Sequence, residues 1–188
     1  MPWASSWSEG RSRPATVEEL RALAHPTRQR IIRLCLDEAL TNQQVAEALD
    51  LEPATTLRHV RILLNEGFLE AGEVRSGRRG ALERPYRATG LQRQLRLDDA
   101  DPELVRSKDV AALRAHAVEL LGAPEGGTRD FARGTMRLSA ASRAELTRRI
   151  DELLGEFAAR KDADGEPLAF IWSLVARAPR RRRGPEGR

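Results

Sequence analysis

The chain has 188 residues, 40% of them hydrophobic and 32% charged, with a net charge of +4 and a pI near 10.1. That size holds one compact domain or two small ones, with enough apolar residues for a core. A single cysteine, Cys35, excludes an intrachain disulfide. The longest apolar run, 168–175, is too short to cross a bilayer, and residues 1–15 carry no apolar stretch of signal-peptide type. The expectation is a cytoplasmic protein with no membrane partner. Only two of the 32 basic residues are lysines. Arginine's planar fork suits phosphates and guanine edges, although a compositional bias of the genome explains the same count. Local placement of the arginines therefore has to carry any argument about nucleic acid.

In chain order, residues 1–14 are polar and read as a disordered arm. Thr16 with Glu19 has the reciprocal capping-box spacing and starts a short helix to about residue 24, burying Leu20 and Leu23. Pro26 opens a second helix to residue 37, since proline is tolerated at the first helical position. It offers Ile31, Leu34 and Cys35 on one face, with Ile32 and Leu36 beside them. His25 is expected to help cap it. Thr41 and Gln44 repeat the capping-box pattern and start a third helix to residue 49. Pro53 opens a fourth, to about residue 66, with Thr56, Val60 and Leu63 inward and Gly67 at the left-handed stop. The pattern then changes: 68–77 and 82–89 read as two short strands around a glycine-bearing turn, with Pro85 at an edge or a bulge.

The second half begins with a charged connector, 91–101. A helix is expected over 102–121, with Val110, Leu113, Ala117 and Leu121 on one stripe. Residues 131–138 and 168–175 read as strands around a strong amphipathic helix from Ser139 to about residue 160, a small α/β layer. Phe131, Met136, Phe157, Phe170 and Trp172 either line an apolar pocket for a small-molecule effector or fill a core. The fold expected is mainly α with a β-hairpin wing, followed by a small α+β region. The divisions are a 1–14 arm, a 15–90 winged helix-turn-helix, a 91–178 dimerisation or effector region, and a 179–188 basic tail.

The specific signal lies in Ala24-His25-Pro26-Thr27-Arg28, then Thr41 to Leu49, then Pro53-Ala54-Thr55 with His59, Leu63 and Gly67, and a closing Pro85-Tyr86-Arg87-Ala88-Thr89-Gly90. Together these resemble the ArsR-type winged helix-turn-helix regulators, over roughly 16–89. The resemblance implies a homodimer, a repressor by preference, whose fourth helix enters the DNA major groove while the hairpin reaches a flanking groove. Thr55, in the first turn of that helix, is placed to meet a phosphate or base edge. Arg58 suits a guanine in bidentate fashion, and His59 and Arg61 a base or a phosphate. Thr41, Asn42 and Thr56 complete the set around the turn, and Arg75, Arg78, Arg79 and Arg84 the wing. Between Pro53 and Gly90, seven arginines face four glutamates. Leu57 and Leu64 depart from the family's usual polar residues. The dimer is expected to use Leu20 and the Val110, Leu113, Ala117 and Leu121 stripe.

Chemistry beyond binding finds little support. The three histidines, His25, His59 and His116, have no metal-ligand spacing. His116 with Glu119 is a possible half-site or a surface pair. No G-x-S-x-G, P-loop or strand-linked G-x-G-x-x-G occurs. No enzyme activity, cofactor or metal is expected. Cys35 is either a core residue or, if exposed beside Arg30 and Arg33, a redox switch. The competing function is a winged-helix adaptor that binds protein and not DNA, which would carry an apolar patch where Arg58, His59 and Arg61 stand.

Overall fold

The structure, a computed structural model, describes residues 13–76, 82–160, 165–166 and 168–176. The helices α1 (Val17–Leu23), α2 (Pro26–Asp37), α3 (Asn42–Leu49) and α4 (Pro53–Asn65) follow the expected order, and α5 (Pro102–Leu121) and α6 (Ala140–Ala159) make up the second half. Their starts are chemically defined. Thr16 and Glu19 close a full capping box on α1, as Thr41 and Gln44 do on α3. Pro26 and Pro53 sit in the first turns of α2 and α4. The His25 imidazole caps α2 by accepting the Thr27 N–H at 3.2 Å.

The core gathers around α2. Ile31, Ile32 and Cys35 are buried with Leu23, Val45, Val60, Leu63 and Phe68. Of the stripe expected on α2, Leu34 and Leu36 are only partly covered. The turn from α1 to α2 is tied by side chains of α2 reaching back: Arg28 donates to the carbonyls of Ala22 and Arg21, and Gln29 to that of Leu23. These satisfy carbonyls that a helix end otherwise leaves unpaired.

Helix α4 ends as its glycine predicts. Gly67 has φ +74°, its N–H reaches the Leu64 carbonyl, and the Phe68 N–H reaches Leu63. The strands are β1 (Arg13–Pro14), β2 (Leu40–Thr41), β3 (Leu69–Ala71), β4 (Arg75–Ser76), β5 (Leu82–Glu83), β6 (Pro85–Ala88) and β7 (Leu95–Arg96). The hairpin is bent rather than continuous: β3 pairs β6 near the core, and β4 pairs β5 further out. At the bend the Gly72 N–H bonds the Pro85 carbonyl at 2.8 Å, and a Cβ at Gly72 would come within 3.1 Å of the proline ring. Pro85 belongs to the central strand of the order β2-β6-β3, not to an edge. It is tolerated there as the strand's first residue, where the lost N–H costs least.

Three features depart from the sequence pattern. Arg13 and Pro14, assigned to the arm, form β1 and pair in parallel with Leu95 and Arg96 of β7. The charged connector hides Leu95, which is 2% exposed, because a short 3-10 turn at Leu91–Arg93 folds it inward. In the second half, α5 packs across α1 and α2, but the described residues of 127–139 and 168–176 are assigned to neither helix nor strand, and after Ala115 no described residue is buried. Among the described residues, α6 therefore stands without the flanking strands of the expected α/β layer. Arg129 forks onto Glu166, at 2.8 and 2.9 Å.

Glu19 gives this fold a measurable acid sensitivity. Its side chain is 5% exposed, bound by Arg13 and by the Thr16 N–H at 2.8 Å. The Arg13 guanidinium, outweighing burial and helped by Thr16, holds the carboxyl below its usual range. A lowered carboxyl contributes stability that is complete above about pH 4.3 and lost as pH falls through the folded value. Glu19→Gln should therefore flatten the fall in melting temperature below about pH 4.5. Equal slopes for the two proteins would show that the pair adds nothing.

Candidate nucleic-acid interface

The geometry around α4 separates the expected contact residues into three groups. Thr55, Arg58 and Arg61 are exposed on α4, as are Arg75 and Arg84 on the hairpin. They lie away from the buried row Thr56, Val60 and Leu63, each 0% exposed. Spacings of three and four residues place these sets on opposite sides of one helix. No acidic residue lies between Pro53 and Asn65, so the exposed face of α4 carries no negative charge; beside its arginines it shows Ala54 and a half-exposed Leu57.

The second group needs correction. Thr56 is fully buried, and its hydroxyl donates to the Glu52 carbonyl at 3.2 Å. Its neighbour in sequence, Thr55, takes the solvent side. Thr41 is 5% exposed, with its hydroxyl engaged by the Gln44 N–H. Asn42 is half-buried and donates through Nδ2 to the Pro53 carbonyl at 2.9 Å, tying the start of α3 to the start of α4. Thr41, Asn42 and Thr56 thus spend these polar atoms on building the turn. The turn also holds Asp50 in the left-handed conformation, φ 54°, closing α3 on the carbonyls of Ala46 and Glu47.

His59 stands between the two groups. It is half-buried, its Nδ1 is enclosed without a hydrogen-bond partner, and its ring lies 4.6 Å from that of His25. Burial first, then for His59 the neighbouring His25 ring, and for both the Arg28 and Arg58 cations, hold the two imidazoles below their ordinary pKa. The third group, Arg78 and Arg79, lies outside the described residues. Sequence reasoning missed Arg28, which is fixed on the α1 carbonyls and bears on both histidines. Only the signature Pro26-Thr27-Arg28 hinted at it.

The dimer residues also divide. Leu20 is 1% exposed and inside the chain, so it offers no surface. It turns inward because α1 lies against α5. Val110, Leu113 and Leu121 are 36%, 43% and 85% exposed, and Ala117 is exposed too. The face of α5 that packs on the winged domain carries Ala111 and Ala115 instead. The soft side chains Phe131, Met136, Phe157, Phe170 and Trp172 are all exposed, so among the described residues they are not gathered into a buried pocket or core. A shallow cleft of about 330 Å³ lies elsewhere, between the α1–α2 corner and α5. Glu119 accepts from Arg33 at 3.0 Å and so belongs to an α2–α5 ion pair. Among the described residues no three His, Cys, Asp or Glu side chains converge as a metal site requires, and no helix is long and apolar enough to cross a membrane.

Helix, turn, recognition helix and bent hairpin in this order define a winged helix-turn-helix. Residues 23–70 match the family model described as a helix-turn-helix domain, and the chain carries such a domain, similar in its sequence motifs to those of ArsR-type regulators. Among solved structures, reduced HlyU from Vibrio cholerae is similar at 17% identity and a TM-score of 0.33, covering 57% of this chain and 88% of its own. A double mutant of ZitR from Lactococcus lactis is similar at 13% identity and a TM-score of 0.31, covering 70% and 73%. Neither likeness bears on what this chain binds. The comparison with curated proteins returns no match.

Cys35 resolves into the core alternative. It is 0% exposed, and burial pushes its thiol up to about 12. Thiolate is the reactive form. The native protein should resist maleimide and peroxide at pH 7.5, reacting only as fast as it unfolds. Stoichiometric labelling without loss of helical signal would restore the redox reading.

Proposed function

We propose that this chain is a sequence-specific, double-stranded-DNA-binding regulator of transcription, acting as a homodimeric repressor. The observation that carries the reading is the face of α4. Thr55, Arg58 and Arg61 are exposed on a helix whose opposite row is locked into the core, with Arg75 and Arg84 on the wing beyond it. A rigid helix with arginines on its free side fits a major groove, and a basic hairpin fits the neighbouring phosphates. An adaptor surface would need an apolar patch on that free side, and the fully exposed positions of α4 are polar or small, with the half-exposed Leu57 the large apolar residue among them.

Two separable contributions follow from this division. Arg58→Ala should relax sequence preference and cost about 1–3 kcal/mol if the guanidinium reads a guanine. Arg75→Ala with Arg84→Ala should weaken binding to all duplexes alike and reduce the salt slope by about one unit per lost phosphate contact. Footprinting on the region upstream of the chain's own gene, followed by affinity against salt, distinguishes them. Wing changes that leave affinity and slope untouched would remove the hairpin from the interface.

The dimer rests on the uncovered stripe of α5. One recognition helix makes too few contacts to select a genomic site, so such proteins double them across a two-fold axis. Leu113, Ala117 and Leu121 are uncovered for a second copy, with Val110 at the border of the cleft facing the α1–α2 corner, because Ala111 and Ala115 already serve the intramolecular contact. Leu113→Glu places like charges near the axis. It should yield a folded monomer with much weaker DNA binding and an unchanged circular dichroism spectrum. A wild-type protein that sediments as a monomer at micromolar concentration would sink the dimer.

A further inference from the structure

We propose that His25 is a positioning residue for the recognition helix, and that its ring contact with His59 makes DNA binding proton-linked, one proton being taken up at the pair when a duplex with its phosphates settles on the face of α4 that carries Arg58. The inference rests on the DNA-binding reading and adds a form of regulation to it.

Two half-buried imidazoles from different helices meet here, His25 at the start of α2 and His59 in the middle of α4, with centroids 4.6 Å apart and planes inclined by 44°. His25 is held in place by its own cap: Nδ1 accepts the Thr27 N–H, so a neutral ring carries its proton on Nε2. On the other side, the Nδ1 of His59 is buried and unpartnered, a cost the fold bears for keeping the contact. The charges that bear on the pair are both positive, Arg28 from α2 and Arg58 from α4. Arg28 cannot turn away, because α1 fixes its guanidinium through the carbonyls of Ala22 and Arg21. Arg58, in contrast, is exposed on the face offered to DNA.

A proton on either ring therefore enters a site already flanked by two cations, and a second proton would set like charges about one ring-width apart. In the free chain the pair stays neutral near pH 7. The phosphates of a bound duplex, close to the groove that α4 enters, offset the field of those cations and make the first proton acceptable. Linkage fixes the sign: a complex that takes up a proton strengthens as pH falls. The free fold responds oppositely. Both histidines have lowered values in the folded chain, so their contribution is complete above about pH 6.5 and shrinks as pH falls below it. Acid thus loosens the unbound recognition helix and tightens the bound one.

The test uses the full chain and a fluorescent duplex of its own upstream region, titrated at fixed salt from pH 5.5 to 8. Wild-type log K should rise as pH falls, by up to about tenfold per pH unit for one proton. His25→Asn retains a good helix cap and should flatten that slope, as should His59→Gln, while His116→Gln on α5 keeps it. A cooperative melt of each variant at pH 8 checks the fold. Imidazole NMR of the free protein should show both His25 and His59 titrating below 6.5, each moving when the other is replaced. Binding independent of pH, or an unchanged slope in His25→Asn, overturns the proton link and leaves the regulator standing. No binding at any pH overturns both.

Discussion

The inner face of α2 is the constraint on which the rest of the molecule depends. Ile31, Ile32 and Cys35 are almost fully enclosed, and α1, α3, α4, α5 and β6 all pack against this one helix. Removing a leucine-sized side chain from such a core costs several kcal/mol, so the position of α4 is set by burial before any ligand arrives. Because α4 is clamped through Val60 and Leu63, the rotation of the helix about its own axis is fixed. That rotation decides which side chains can face DNA.

Polar contacts refine what burial sets. Asn42 ties the first turn of α3 to that of α4, and the left-handed Asp50 lets the chain reverse within three residues. At the far end, the Thr89 hydroxyl donates to the Gly67 carbonyl at 2.7 Å and accepts the Leu91 N–H, locking the exit of α4 to the exit of the wing. The recognition helix is held at both ends and along one side. Its exposed arginines are therefore presented from a rigid element, the arrangement that favours selective binding over loose adhesion.

The winged domain and the C-terminal half illustrate different physics. In the first, the four helices α1 to α4 and the strands β2, β3, β6 and β7 share one core. In the second, α6 carries leucines and a phenylalanine at helical spacing, yet Leu153 and Phe157 are about half exposed, and Phe131 and Leu168 more so. Amphipathic periodicity states which side of a helix wants cover. It does not state whether the cover comes from the same chain. The same distinction applies to α5, where both alanine and leucine faces are apolar and only packing shows that the alanines point inward. Small residues there let α5 approach α1 and α2 closely, leaving the larger ones outside.

By itself the sequence determined the elements whose signals are local. Capping boxes at Thr16 and Thr41, prolines opening α2 and α4, the glycine stop at Gly67 and the inward row of α4 depend on spacings of a few residues, and each is where the pattern placed it. The cap formed by His25 and the burial of Cys35 were legible for the same reason. Tertiary structure decided what depends on neighbours far along the chain. It engaged Thr56, Thr41 and Asn42 in building the turn, enclosed Leu95, bent the hairpin at Gly72, and formed no strand over the described residues of 127–139 and 168–176. It also brought His25, Arg28, Arg58 and His59 together from two helices. Periodicity assigns a residue to a face, but whether that face meets solvent, core or another side chain is settled by packing, and packing is a property of the whole fold.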